Sequence, residues 1–385
     1  MKMLCKVGDL HFSVVGEKEN PYYRAFREYF TEKRIKPDGE AIDLKIEVRE
    51  KDADDSFFGP ELFSLSGGIA FNREWYRVRK YGYSYAVRNL FEPEKPTELV
   101  LFPRPTRSTE IRRVGNTMIG DTVGDHDRYG AFVASLANYS CLWYIFSLTL
   151  MKKNSIFVHC GMMAKNGKGM LLTGTGGCGK TSTMMELITN SGYSFMAEDF
   201  GILRQDGVIF DMQKKAAVYQ SDVKWGNEYL KHAVDHLQKR SRINWKVKKA
   251  IGKNPLHYFK PSEIFGSNIA HSAQLEDAYI LKRIPKDSEI KCTDISSVSL
   301  ANRMKSASFR ELKELYEVLS NLRAVGGDDF TNYPSVFEIE NAYLEIANKA
   351  LSQVRCHELA VPLNVEPEQT AKAMLAGREE DGNAG

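Results

Sequence analysis

Residues 174–181 read GTGGCGKT, and no other stretch of this 385-residue chain restricts its fold so tightly. Gly174, Gly176 and Gly179 satisfy G-x-G-x-x-G, the turn that lays a dinucleotide pyrophosphate on a helix N-terminus. Gly174, Gly179, Lys180 and Thr181 satisfy G-x-x-x-x-G-K-[ST], the mononucleotide phosphate loop. Both turns follow a strand and open a helix, so this part of the chain is α/β on either reading. A dinucleotide fold also needs an acidic residue about 20 positions on, for the ribose. Glu198 and Asp199 stand 19 and 20 residues after Gly179, so the acid does not separate the two. The pair Lys180-Thr181 does: a phosphate loop uses the lysine on the β/γ-phosphates and the hydroxyl on Mg²⁺, whereas a dinucleotide fold has no task for either. Lys180 is therefore expected to face phosphate rather than core.

The flanks support a strand, a loop and a helix. Asn166-Gly167, set between Lys165 and Lys168 with apolar runs on both sides, predicts a two-residue hairpin. If Lys165 pairs with Lys168, His159 falls opposite Gly174, at the mouth of the glycine loop. Met170 to Thr173 feeds that loop. Residues 181–189 carry apolar side chains at helical spacing, with Gly192 as terminator. The run YSFMAEDF then predicts a short strand whose far end presents Glu198 and Asp199.

Each further residue has a structural alternative. Glu198 and Asp199 could cap a surface loop, yet a carboxylate at a strand end beside a phosphate loop is where a second metal ligand belongs. His159 could be a satisfied core histidine, but the predicted hairpin register brings it to the loop. Cys178, inside the loop, reads as a small filler, although a helix N-terminus would lower its pKa.

Elsewhere the chain is less specific. From residue 1 to about 120, DLKIEVRE and WYRVRKYGYSYAVRNLF alternate as strands, PDGE and EPEKP punctuate them as turns, and YYRAFREYF has helical spacing. The polar, glycine-rich GDTVGDHDRYG predicts a boundary between a β-rich domain over 1–120 and a second domain over 121–376, with 377–385 a disordered tail. Residues 131–151 hold no charge and are long enough to span a bilayer, but Asn138 and several hydroxyl residues favour a core helix. Further on, AYILKRI predicts a strand, ASFRELKELYEVLSNL one helix, and NVEPEQTAKAML a last helix with Pro367 in its first turn. Residues 231–253 set eight Lys and Arg against Asp235 alone, which predicts a solvated helix face or a site for an anionic partner. The whole chain is only +3, from 53 Lys and Arg against 50 Asp and Glu, so dedicated nucleic-acid binding is not expected. Six cysteines without a C-x-x-C pair exclude a zinc-ribbon pattern and fit a reducing, cytoplasmic setting.

From His159 to Asp199 the sequence resembles the HPr kinase/phosphorylase family, a branch related to phosphoenolpyruvate carboxykinases. That family runs a histidine-glycine step, a hairpin, GxSGxGKS, a helix and a strand ending Ala-Asp-Asp; here the same order appears as HCG, GTGGCGKT and AED. The apolar helix before His159 and the terminal CHELAVPLNVEPEQTAKAML look like those of HPr-kinase-related proteins from bacterial biosynthetic gene clusters. The resemblance implies His159, Lys180, Thr181 and Asp199 as functional residues, with Asp199 the base for an acceptor hydroxyl. It departs from the family where Glu198 replaces the first aspartate and where no glycine-rich EIRGLGI segment follows the acidic pair, so neither HPr as substrate nor reversal by phosphate is implied.

The expected fold is thus α/β, an HPr-kinase/PEP-carboxykinase-like C-terminal domain with a phosphate loop, behind a β-rich α+β N-terminal domain. The expected activity is transfer of the γ-phosphoryl of ATP to a hydroxyl of a small molecule or a peptide serine or threonine. Residues 174–181 (Gly174, Thr175, Gly176, Gly177, Cys178, Gly179, Lys180, Thr181) with Ser182 would hold the nucleotide, and Thr181, Glu198 and Asp199 the Mg²⁺. No membrane span and no specific nucleic acid are expected, and self-association is left open. A nucleotide-gated binding or scaffold protein without transfer, and a dinucleotide-dependent oxidoreductase, are the rival classes.

Overall fold

The computed structural model describes residues 1–29, 41–49, 63–64, 68–72, 74–80, 83–103, 141–212, 215–224, 227–237, 239–326 and 334–382. The predicted PDGE turn, the boundary segment GDTVGDHDRYG and the first half of the apolar run 131–151 lie outside them. The protein is mixed α/β, and its chain forms two compact units: Met1–Lys153 with Lys239–Val247 and Leu312–Ile339, and Asn154–Gln238 with Lys248–Glu311 and Glu340–Gly385.

The first unit is built on one eight-stranded sheet. Its strands are β1 (Lys2–Val7), β2 (Leu10–Gly16), β3 (Leu44–Val48), β4 (Phe63–Ser64), β5 (Ile69–Phe71), β6 (Tyr76–Lys80), β7 (Tyr83–Arg88) and β8 (Thr97–Pro103), in the order β1-β2-β3-β8-β7-β6-β5-β4. The β2/β3 and β3/β8 pairs are parallel and the others antiparallel. Strand β3 shows why the alternation in DLKIEVRE reads so clearly: Leu44, Ile46 and Val48 are buried, and Lys45 points to solvent. Helix α1 (Pro21–Tyr29) matches YYRAFREYF, and the Asn20 side chain accepts the backbone N–H groups of Tyr22 and Tyr23 at its start.

The described part of the apolar run is helix α2 (Cys141–Met151), and Leu142 through Leu150 are all buried. It is a core helix of this unit. Phe146 meets Phe12 edge-on at 5.2 Å, and the Tyr144 hydroxyl donates to the Tyr85 hydroxyl at 2.8 Å and lies 2.9 Å from that of Tyr76. Those hydroxyl contacts satisfy polar atoms that a lipid-facing helix would leave bare. Among the described residues no helix is long and apolar enough to cross a membrane.

The second unit centres on β9 (Ser155–Lys165), whose first ten residues are buried. Its partner β10 (Lys168–Thr173) returns through Asn166 and Gly167, both at positive φ (55° and 77°), and the register is Lys168 to Lys165 through Thr173 to Cys160. The hairpin and its register follow the sequence prediction. Helix α3 (Lys180–Asn190) follows, then β11 (Ser194–Ala197), β12 (Phe200–Arg204) and β13 (Val208–Phe210). Both β11 and β12 lie antiparallel to the far side of β9. The long strand β16 (Ser272–Ile284) pairs in parallel with β10 and with β18 (Arg355–Pro362), and antiparallel with β13; β17 (Lys291–Asp294) borders β18. Hence β10, β9, β12, β13 and β16 close a circuit, and the parallel strands β10, β16 and β18 all end on the side of the glycine loop. Ligands in open α/β sheets bind beyond such carboxyl ends.

The remaining elements are β14 (Ala216–Tyr219), α4 (Gln220–Lys224), α5 (Glu228–Asp235), α6 (Lys239–Ala250), β15 (Leu256–Phe259), α7 (Pro261–Phe265), α8 (Ser297–Glu311), α9 (Lys313–Gly326), α10 (Val336–Ala350) and α11 (Pro367–Gly382). Two expectations change here. The single helix predicted over ASFRELKELYEVLSNL is parted at Leu312 into the end of α8 and most of α9; helical spacing persists across such a break and so cannot reveal it. The tail predicted from Gly377 is helical as far as Gly382, since the Arg and Glu residues at 378–380 are good helix formers and extend a helix already nucleated from Pro367.

Candidate functional site

The loop between β10 and α3 owes its shape to glycine. Gly179 is the N-cap of α3 at φ 100°, a left-handed conformation that costs an L-residue about 1–2 kcal/mol, and a Cβ there would sit 2.6 Å from the Arg283 Nη2. Gly174, at φ 142°, brings its Cα so close to β16 that a Cβ would meet the Leu281 carbonyl at 2.7 Å. Thr175, Gly176 and Gly177 are exposed, and the N-cap of α3, Gly179, has no side chain with which to cap the first turn. The first-turn N–H groups of a helix, with its dipole behind them, make a seat for an anion.

Lys180 is only 8% exposed, and its ammonium turns back into its own loop. It donates to the carbonyls of Gly174 at 2.9 Å and Thr175 at 3.1 Å, and lies 3.1 Å from His159 Nε2. The expectation of a lysine facing phosphate rather than core is thus modified: the amine is packed beneath the loop, beside where a phosphate would rest. An ammonium has only N–H groups to offer, so in this contact Lys180 donates and His159 Nε2 accepts. Cys178 is buried, its sulfur packed where a Gly174 side chain would be, which is the filler role read from the sequence.

His159 is held from several directions. Its backbone N–H donates to Ser308 Oγ of α8 at 3.0 Å, its carbonyl accepts from Thr173 Oγ1 at 2.9 Å, and its ring meets Phe200 at 5.4 Å. Ser308 Oγ in turn lies 3.1 Å from the Tyr343 hydroxyl, and burial drives the pKa of that phenol above its ordinary value, so it stays neutral. Ser308 and Tyr343 were not legible in the sequence, because α8 and α10 meet β9 only in three dimensions.

The two carboxylates occupy the break between β11 and β12, opposite Cys160 of β9. Asp199 adopts φ 65°, a left-handed conformation that Asp and Asn tolerate better than most residues, and its carbonyl accepts the Cys160 N–H at 3.1 Å. Because Phe200 pairs with His159, the β9 histidine, the break at Asp199 and the end of β10 stand at one level of the sheet. Glu198 Oε1 accepts a hydrogen bond from Thr181 Oγ1 at 3.3 Å. A hydroxyl and a carboxylate so placed fit Mg²⁺, which takes one or two protein oxygens and fills its octahedron with phosphate and water. No cluster of three or more His, Cys, Asp or Glu with metal-site geometry occurs among the described residues.

A cleft of about 560 Å³ gathers most of these groups. His159, Gly176, Gly177, Gly179, Lys180, Thr181, Ser182 and Asp199 line it together, whereas Gly174, Thr175, Cys178 and Glu198 do not; Glu198 and Thr181 border a small apolar pocket next to it. Arg283 also lines the cleft, and sequence reasoning missed it. It lies at the end of β16, its Nη1 donating to the Pro362 carbonyl at 3.0 Å, and only the parallel pairing of β16 with β10 brings it to Gly179. No family model matches this chain, and no curated protein sequence matches it either.

Proposed function

We propose that the protein is an ATP-dependent kinase of the HPr-kinase-like type, with the phosphate loop in an HPr-kinase/PEP-carboxykinase-like domain, that transfers the γ-phosphoryl group to a hydroxyl of a small molecule or of a peptide serine or threonine. The observation that carries the reading is the convergence in one cleft of the α3 N-terminus, Lys180, Thr181, His159 and Asp199. Loop amides and the Lys180 ammonium would bind the phosphates, with Arg283 adding a second cation. Thr181 Oγ1 and Glu198, with Asp199 near them, would hold Mg²⁺, which supplies charge neutralisation on the phosphate oxygens. Asp199 would accept the proton of the acceptor hydroxyl, and His159 would orient Lys180 through Nε2. Because phosphoryl transfer depends chiefly on positioning and charge, a rigid site on strand ends suits it.

The test has two stages. Calorimetric titration with ATP·Mg²⁺ and with NAD should give binding of ATP alone; binding of NAD without ATP would make the protein a dinucleotide enzyme. Incubation with γ-labelled ATP and a fractionated lysate should then move label to a protein or small-molecule fraction, and Asp199→Asn should abolish it. ATP binding with no transfer to any fraction would leave a nucleotide-gated binding protein.

A further inference from the structure

We propose that the outward face of helix α6 is a docking surface for an anionic lipid bilayer, with α6 lying along the membrane rather than crossing it. The sequence of α6, KRSRINWKVKKA, holds six basic residues and no acidic one. Against this charge, Ile243 is 47% and Val247 38% exposed, and Ile251 in the turn that follows is 61% exposed. At about 100° per residue, positions four apart fall on one stripe, so these three aliphatic side chains form a continuous line. Exposed aliphatic residues scattered singly need no explanation; three in register on one cationic helix do.

The same rotation places Lys239 and Lys246, both exposed, alongside the stripe. Trp245 lies on the opposite side and is only 6% exposed, so the inner half of the helix is already packed against the protein. That fixes the kind of partner. A groove that swallows a basic amphipathic helix needs most of its circumference, whereas a flat anionic surface needs only the outward half. An outward face of aliphatic residues flanked by lysines is what a headgroup layer accommodates: the side chains enter the acyl boundary and the ammonium groups stay among the phosphates. With so few aliphatic residues, charge must supply most of the affinity. Binding should therefore require anionic lipid.

The full-length protein is to be sedimented with phosphatidylserine-rich vesicles and with neutral phosphatidylcholine vesicles, at low and high salt. Surface cations contribute enough each that partition into anionic vesicles should be on the order of a hundredfold stronger, falling steeply with salt. Lys239→Glu with Lys246→Glu should reduce it at least about tenfold, and Ile243→Ser with Val247→Ser several-fold, with ATP affinity unchanged in both. As a readout that tolerates any folding defect in those variants, Ile243→Trp should be quenched by brominated lipid. Equal partition into neutral vesicles, no sedimentation at low salt, variants that bind like the parent, or no quenching would each overturn the proposal. Tighter capture by an acidic amphipathic peptide or by duplex DNA at the same salt would overturn it in favour of a macromolecular partner.

Discussion

Replacing Lys180 by Met removes the ammonium and keeps the buried aliphatic stem, which separates its two roles. In the folded protein the ammonium donates to the carbonyls of Gly174 and Thr175 and contacts His159 Nε2. Thr175 is exposed, so water can replace the lost donor there, and the stability loss should be near one net hydrogen bond, about 1 kcal/mol. For a unit of this size that lowers Tm by roughly 2–4 °C. In the nucleotide complex the same ammonium would make charge-assisted bonds to phosphate oxygens, each about 1.5–3 kcal/mol. Losing one such bond raises Kd roughly 10- to 150-fold. Isothermal titration with ATP·Mg²⁺, paired with a thermal melt, reads both quantities. A Lys180→Met protein that melts normally and binds ATP as the parent does would refute the phosphate-loop reading, while one that unfolds outright would show that the inward hydrogen bonds dominate.

Four further outcomes are expected. Asp199→Asn keeps the left-handed backbone and removes the base, so transfer should fall at least about a hundredfold in a labelled-ATP assay while ATP·Mg²⁺ binds within about tenfold; near-normal transfer would move the base to Glu198. Thr181→Val and Glu198→Gln should each weaken Mg²⁺-dependent binding more than binding of nucleotide without metal, measured by titration with and without chelator. Arg283→Gln should raise the Kd for ATP several-fold, and an unchanged value would remove Arg283 from the phosphate site. Stability should also fall with rising pH through His357. The buried Asp277 carboxylate, 3.9 Å from its Nε2, is the main influence raising its pKa, the Asp294 carboxylate hydrogen-bonded to its Nδ1 at 2.8 Å adds to it, and burial opposes both without cancelling them. A histidine raised in this way stabilises the fold while protonated, fully below its unfolded pKa near 6.5, and loses that contribution as pH climbs through the higher folded value. Urea midpoints measured from about pH 5.5 to about pH 8.5 should decline in the parent and flatten in His357→Asn.

The local grammar of the site was legible in the sequence because it is set by residues close together in the chain. Asn166-Gly167 dictates a turn with two positive φ angles, that turn fixes the β9–β10 register, and the register carries His159 to the loop. Gly174 and Gly179 allow backbone that no other residue adopts without strain, and the apolar spacing after Lys180 specifies a helix packed on β9. Tertiary pairing decided the rest. That the strand after α3 breaks at Glu198 and Asp199 and resumes as β12 follows from competition for the edge of β9, which alternation alone does not express. Arg283, Ser308 and Tyr343 reach the site from more than 100 residues downstream of the loop, through β16, α8 and α10. The direction of Lys180 is likewise a tertiary outcome: the motif supplies a cation at that position, but the acceptors around it, two loop carbonyls and an imidazole from a neighbouring strand, determine where the charge rests.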